Sequence, residues 1–396
     1  MNPGTDPTTA TREAPLDENE AAGLRSLLTE LGEEAAPMRF RVAPNPCVGA
    51  AVLSAGRVIG RAVHREWGGP HAEVGAFAEA AKSDVPREEW DTLVVTLEPC
   101  STHAKTPPCV EAILAHGIRR VVVGELDPDP RHRGAGLAML HEAGVDVVHL
   151  PGVVPLREVA PHFLRWVRPD RIRRARPWAI AKWAQTRSGH LTPPASVGEG
   201  RWITSEPSLR RVQVLRAHVD AIVTGVGTVR ADDPRLTVRP PGVVKRPPLR
   251  IVLDTELRME ATARMLGTAD AETGEHGGPV HIFCRPGADG ARHRALADAG
   301  ATIHAVRPGE DGRPLLREVL SWLHEEGARR ILVEAGPRLL EAFLRAEFID
   351  QLAVYTGDVN GGRGPTLAEF LAPERLEGVC REEVGSDSLL EAFVRT

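Results

Sequence analysis

Hydrophobic and polar positions divide the chain into two alternating stretches. Residues 1–16 are rich in Pro, Thr and Asp without a period, which predicts a disordered tail. From Asp17 to Glu34, Leu24, Leu27, Leu28 and Leu31 fall at helical spacing. From Val48 onward the pattern predicts strands at about 48–53 and 57–63, a helix at 71–82, a strand at 92–97, a helix at 108–116 and a strand at 119–124. A helix near 134–143 and a strand near 145–149 complete a layered α/β domain. Pro151, Pro155 and Pro161 break the pattern before an arginine-rich stretch, Arg165 to Arg176, which reads as a solvated linker face, with a phosphate patch as the alternative. Beyond it, PWAIAKWAQT predicts a strand, SEPSLRRVQVLRAHV a helix opened by Ser205, and DAIVTGVGT and PLRIVLDT two further strands. The Gly/Pro-rich stretches 240–248 and 267–279 read as surface loops. The expected organisation is a 1–16 tail and two α/β domains, 17–165 and 176–396.

Composition narrows the classes. With 42% hydrophobic and 26% charged residues, the 396-residue chain is neither fibrous nor wholly disordered. Its 49 basic against 54 acidic residues give a net charge of −5, so no overall basic field draws in nucleic acid, and none is expected as a partner. No apolar run reaches the 18 residues of a membrane span, and the first residues lack the charged and apolar regions of a signal peptide, which predicts a cytoplasmic protein with no membrane partner. Five scattered cysteines, 47, 100, 109, 284 and 380, suit reduced thiols or metal ligands. Only four basic residues are lysines, at 82, 105, 182 and 245, so each is informative.

His71, Cys100 and Cys109 supply the three ligands of a zinc site that keeps a fourth position open for water. Glu73 stands two residues after His71 in HAEV, at a helix start behind Gly68-Gly69-Pro70, placed to move a proton without ligating. That is the H-x-E arrangement of zinc deaminases. Residues 101–108 separate the two thiols in TLEPCSTHAKTPPC, a longer loop than the P-C-x-x-C of nucleic-acid deaminases. A structural zinc needs a fourth protein ligand; Cys47 is available, but its place in PNPCVG at a strand start suits packing better. The chemistry implied is hydrolytic deamination of an aminopyrimidine-like ring.

The second half has no G-x-G-x-x-G opening a helix. Gly225-Val226-Gly227, followed by Thr228 and Asp232, lets backbone approach a ligand, and Gly336-Pro337 after Glu334 opens a helix whose N-terminus can hold an anion. Each alone reads as a cap or turn.

The runs APNPCVGAAV, GRAVHREWGGPHAEVGAF, VVTLEPCSTHAKTPPC and DPDP resemble the deaminase half of the bifunctional riboflavin-biosynthesis pyrimidine deaminase/reductase family. KWAQT, GRWITS, VLRAHVDAIVTGVGTVRADDPRLTVR, IVLDT and VEAGP resemble its reductase half, in order. The resemblance implies a cytidine-deaminase-like three-layer domain followed by a dihydrofolate-reductase-like domain, with zinc in the first and NADPH in the second. It implies deamination of 2,5-diamino-6-(5-phosphoribosylamino)pyrimidin-4-one, a small-molecule phosphoribosylaminopyrimidine, then reduction of the ribosyl chain to ribityl, in a homo-oligomer. By the same resemblance His71, Cys100 and Cys109 are zinc ligands and Glu73 the proton carrier. Asn45, His64 and Lys105 fall on deaminase substrate positions. Ala184, Trp202, Thr228, Asp232, Thr255 and Gly336 fall on nucleotide positions, and Arg216, Leu236, Arg239 and Glu334 on positions that hold the phosphoribosyl substrate. The arginines suit bidentate phosphate clamps and Lys105 a substrate phosphate; Lys182 matches the lysine opening the first reductase strand. The sequence departs from the family at Thr102, Ala135, Ser188 and Gly200. The alternative is therefore a deaminase-competent paralogue whose reductase half is impaired or acts on a different substrate.

Overall fold

Asp17 accepts the Glu20 N–H at 2.7 Å and so starts α1, Glu18–Ala35, whose leucine stripe is buried. In this computed structural model the described residues are 16–102, 107–168, 175–195, 203–239, 246–267 and 277–395. The predicted tail up to residue 15, Lys105, Gly200, Trp202 and most of the two predicted surface loops lie outside them, whereas Leu16, predicted as tail, packs against the core beneath α1. The chain divides into two compact units, residues 1–174 and 175–396.

The first unit is built on β1 (Gly49–Ser54), β2 (Arg57–Val63), β3 (Thr92–Leu97), β4 (Arg120–Glu125) and β5 (Asp146–His149), in the order β2-β1-β3-β4-β5. The first three pair antiparallel and the last three parallel. Strand parity makes the layers. Ala50, Val52, Leu93, Val95, Val121 and Val123 pack with α2 (Ala72–Ala80), α3 (Cys109–Ala115) and α4 (Ala135–Glu142), whereas Ala51, Leu53, Val94 and Val122 pack with α1. Two of the three prolines expected to interrupt the pattern instead start short helices, and Pro151 lies in a turn. Pro155 is the N-cap of Leu156–Val159 and Pro161 the first residue of Pro161–Trp166, positions where a missing N–H costs nothing.

The second unit carries a nine-stranded sheet. In chain order its elements are β6 (Trp178–Gln185), β7 (His190–Thr192), α5 (Glu206–Ala217), β8 (Ala221–Gly225), α6 (Val226–Asp232), β9 (Leu249–Leu253), β10 (Val280–Cys284), α7 (Gly290–Asp298), β11 (Thr302–Ala305), α8 (Leu316–Glu325), β12 (Arg330–Glu334), α9 (Pro337–Arg345), β13 (Gln351–Thr356), β14 (Arg363–Thr366), β15 (Leu376–Val384) and β16 (Asp387–Val394). The sheet order is β11-β10-β9-β8-β12-β6-β13-β16-β15. The first seven strands are parallel and the last two join antiparallel. Parallel strands covered on both faces read as unbroken apolar runs, as Ile331-Leu332-Val333 does at 0% exposure throughout.

Two local expectations change. DAIVTGVGT is a strand only to Gly225; Val226 and Val229 are buried at helical spacing, and the chain turns into α6. Ser205 does precede α5, but its hydroxyl does not cap the helix. Its Oγ and that of Ser208 donate to the buried Asp387 carboxylate at 2.7 and 2.6 Å, tying α5 to β16. Among the described residues no helix is long and apolar enough to cross a membrane.

Candidate active sites

His71 occupies the N-cap of α2, and Glu73 follows in its first turn. Glycines press that helix onto β2: a Cβ on Gly60 would lie 2.3 Å from the Ala80 nitrogen, and one on Gly75 2.8 Å from the Ala62 Cβ. Cys100 follows β3, and Cys109 is the first residue of α3. His71 Nδ1 lies 3.2 Å from Cys109 Sγ and 3.6 Å from Cys100 Sγ. Tetrahedral zinc holds sulfur and nitrogen ligands about 3.5 Å apart, so the donor set fits the ion in kind and in spacing. Among the described residues this is the only group of three or more metal-ligating side chains gathered so closely.

Charge favours the same outcome. A hydrogen bond from the Cys109 thiol, against the penalty of burial, brings Cys100 down to about 4, with His71 and the Cys109 backbone N–H, 3.3 Å from the Cys100 sulfur, adding to the shift. Cys109 is held above the usual thiol range because it keeps the shared proton and is buried. Burial likewise raises the Glu73 carboxyl, with His71 opposing. Cys47 is 1% exposed, packs beside Ala35, Val42 and Leu97, and is pushed up to about 12 by burial. It does not join the donor group, so among the described residues three ligands and an open position remain.

His64 backs this centre. Burial, against a hydrogen bond to the Pro70 carbonyl, holds its ring down to about 4, so it is neutral. The partners assign the proton: Nδ1–H donates to Pro70 O at 2.9 Å, and Nε2 accepts from the Asn45 amide at 3.3 Å. Sequence reasoning missed two supporting residues. Fully buried His162 lies with its Nε2 2.8 Å from the Asn45 carbonyl oxygen, an interaction between residues 117 positions apart that no local pattern signals. Glu98 accepts the N–H groups of Asp127, Gly134 and Gly136 at 3.1, 2.9 and 3.0 Å, and a Cβ on Gly136 would lie 2.2 Å from the Pro99 carbonyl oxygen, so the loop before α4 is fixed against Pro99. An acid ending the apolar strand TLVVTL was its available signal. Ala135 is the first residue of α4, and exposed Thr102 lies in the loop between the two thiols.

In the second unit Ala184, Thr228, Asp232, Thr255 and Gly336 line one cleft of about 2040 Å³. Lys182, Arg216, Leu236, Arg239 and Glu334 line the same cleft. The starts of α6 and α9 meet there, the Gly336 N–H donating to Thr228 Oγ1 at 2.9 Å. Arg216 is not a free phosphate clamp. Its Nε and Nη2 donate to Glu334 at 3.0 and 2.6 Å, and its Nη1 to the Thr237 carbonyl at 3.3 Å. Burial raises the Glu334 carboxyl, but Arg216 and Lys182 outweigh it and hold the group ionised; burial lowers Lys182, with Glu334 opposing. Leu236 and Asp233 take positive φ, +50° and +39°, strain of the kind that gathers at binding sites. Ser188 does not line the cleft: its hydroxyl donates to the Gly361 carbonyl at 3.0 Å and meets Thr186 Oγ1 at 3.2 Å in the turn before β7.

A three-layer α/β unit with a zinc-type donor set, followed by a parallel-sheet unit with a nucleotide-sized cleft, defines a two-domain deaminase and reductase. Residues 26–125 match the cytidine and deoxycytidylate deaminase zinc-binding region, and residues 177–385 match the RibD C-terminal domain. The chain is 34% identical over 327 residues to the riboflavin biosynthesis protein RibD of Aquifex aeolicus, covering 83% of this chain and 85% of that one. It is 35% identical over 335 residues to RibD of Bacillus amyloliquefaciens, covering 85% and 83%. Among solved structures, RibD of Acinetobacter baumannii superposes with a TM-score of 0.65 at 27% identity over 95% of this chain and all of the other. A Thermotoga maritima diaminohydroxyphosphoribosylaminopyrimidine deaminase/5-amino-6-(5-phosphoribosylamino)uracil reductase does so at 0.62 and 28%, over 95% and 99%. The chain belongs to the RibD family, the bifunctional deaminase and reductase of riboflavin biosynthesis, with a cytidine-deaminase-like domain and a dihydrofolate-reductase-like domain that fit Zn2+ and NADPH.

Proposed function

We propose that residues 17–165 deaminate the diaminopyrimidinone ribosyl phosphate and that residues 176–396 then reduce the ribosyl chain of the product to ribityl. The observation that carries this reading is the convergence of His71, Cys100 and Cys109 beside a buried, non-ligating Glu73. His71, Cys100 and Cys109 would hold zinc, which when bound would supply the Lewis acidity that activates water towards the aminopyrimidine carbon. Glu73 takes one proton from the attacking water and passes it to the ring nitrogen, then takes the remaining proton of that oxygen and passes it to the departing amine, which leaves as ammonia. Asn45, held by His64 on its amide and His162 on its carbonyl, positions the ring together with His64. Lys105, outside the described residues, is assigned to the substrate phosphate on the family resemblance alone.

The residues of the second domain would hold NADPH, which when bound would supply the hydride. Ala184, Trp202, Thr228, Asp232, Thr255 and Gly336 seat the nucleotide. Lys182, Arg216 and Glu334 form a buried charged cluster against the ribosyl chain, with Leu236 and Arg239 completing the substrate side. The Ser188 hydroxyl is engaged by the Gly361 carbonyl and Thr186 and does not line the cleft, which supports an active reductase over the impaired alternative. The reading includes a cytoplasmic homo-oligomer with a small-molecule substrate and no nucleic-acid partner. The test is to incubate zinc-loaded protein with the diaminopyrimidinone ribosyl phosphate, with and without NADPH, following ammonia and NADPH separately. Ammonia release with NADPH consumption supports both halves. Ammonia alone overturns the reductase assignment, and neither overturns the substrate.

A further inference from the structure

The cleft of the second unit has two chemically different ends. Strands β9, β8, β12 and β6 are successive neighbours, and a spacing of about 4.8 Å per strand sets the outer two about 14 Å apart. At the β6 and β12 end stand the ionisable groups Lys182, Arg216 and Glu334. In the middle are the starts of α6 and α9, joined through Gly336 and Thr228. At the far end, Thr255 and the turn after it follow β9. An extended dinucleotide whose reacting ring lies at the ionisable end and whose diphosphate lies over the helix starts brings its adenosine to β9.

The turn at that end is held in an unusual shape. Asp254, 0% exposed, accepts the Met259 N–H on Oδ2 at 2.8 Å, and its carbonyl accepts the Leu257 N–H at 3.2 Å. Leu257 is fully buried at φ +52°, the left-handed region that a branched, non-glycine residue adopts only when its surroundings enforce it. The result is that Arg258 alone among residues 254–259 is exposed, and it lines the cleft. The neighbouring acid does not oppose an anion there. Glu256 accepts Nε and Nη2 of Arg285 at 2.7 and 2.9 Å, and the Arg285 N–H is anchored on the Thr255 carbonyl at 3.2 Å.

We propose that Arg258 makes the reductase selective for NADPH over NADH by holding the 2′-phosphate of the adenosine ribose, with the Thr255 hydroxyl beside it. A guanidinium matches two phosphate oxygens at once and finds no such partner on an unphosphorylated ribose. The assignment rests on the reading of this cleft as the nucleotide site. The test is calorimetric titration of the full-length chain with NADPH, NADH and adenosine 2′,5′-bisphosphate, for the unaltered protein, Arg258→Gln and Arg258→Lys. Arg258→Gln should weaken NADPH and the bisphosphate roughly 10–100-fold while moving NADH by no more than about 3-fold, and Arg258→Lys should retain part of the preference. An Arg258→Gln chain that keeps the original ratio of NADPH to NADH affinity, or loses both nucleotides equally, overturns the role of Arg258 alone. An unaltered chain that binds neither nucleotide overturns the reading of the cleft, and the selectivity assignment with it.

Discussion

The two sites solve different problems with different amounts of chain. The zinc-type centre is a point: three donor atoms within 4.8 Å of one another, drawn from the start of one helix, the end of one strand and the start of a second helix. The reductase cleft is a surface, assembled from the ends of four neighbouring strands and lined by residues from Lys182 to Phe348. A metal fixes its ligands to within a few tenths of an ångström, so a few residues carry the site and the surrounding fold only aims them. A dinucleotide spreads its contacts, so the sheet itself becomes the binding device. Damage should therefore separate chemistry from folding in the first unit and combine them in the second.

Glu73→Gln is the sharpest way to test that contrast. The amide preserves volume but cannot carry the proton, so ammonia release should fall by about 10²–10⁴-fold. Zinc content, and NADPH oxidation with the deaminated substrate, should stay unchanged. Near-normal ammonia release would remove Glu73 from the mechanism. Glu334→Ala is the counterpart. Removing one member of a buried, doubly hydrogen-bonded pair leaves Arg216 unneutralised, so the second unit should lose about 3–5 kcal/mol of stability along with its reductase activity. Ammonia release should persist. Denaturant titration of the variant with unchanged stability of the second unit would break the comparison.

The same difference governs what the sequence revealed. Most α/β elements were legible because buried faces impose their period, as in Leu24 to Leu31 or the strand parity of residues 50–53. The donor set was legible because each member sits in a short, ordered motif whose chemistry is local. Where the sequence misled, long-range partners had overridden local grammar. The Ser205 hydroxyl is spent on Asp387, 182 positions away, and Arg216 on Glu334 rather than on a free anion site. The glycines at 225 and 227 end a strand and open α6, which a reading of apolar runs extended as strand. His162 could not be found at all, since its partner is a backbone carbonyl and backbone atoms leave no trace in composition.

His162 also supplies a smaller test. In His162→Phe the ring volume remains and the hydrogen bond to the Asn45 carbonyl is lost. One such bond contributes about 0.5–1.5 kcal/mol, so KM for deamination should rise roughly 3–10-fold with little change in kcat, and His162→Gln should recover part of the loss. An unchanged KM would mean that Asn45 is held well enough by His64 and its own loop. Reductase constants serve as the internal control.

The smallest effect belongs to the open sheet edge of the second unit, where no catalytic group lies. His281 Nδ1 and His304 Nε2 are 3.0 Å apart, with Phe283 and Trp322 packed around them. Two neutral rings share one proton in that bond, and a second proton would set two donors face to face. Burial lowers both rings, His304 further lowers His281, and Glu326 at the end of α8 opposes both shifts. With the folded values below the unfolded value of about 6.5, the unfolded chain binds more protons as the pH falls through that value. Stability is thus unaffected above about pH 7 and declines on the acid side. His304→Phe removes one titration and the pair repulsion, so its melting temperature should fall less steeply between about pH 7.5 and about pH 5.5 than that of the unaltered chain, whatever its absolute value. Parallel slopes would show that the pair is protonated alike in both states. Buried Glu334 does not enter that window: Arg216 and Lys182 hold it below the usual carboxylate range, so its contribution is lost only at more acid pH, below the unfolded value.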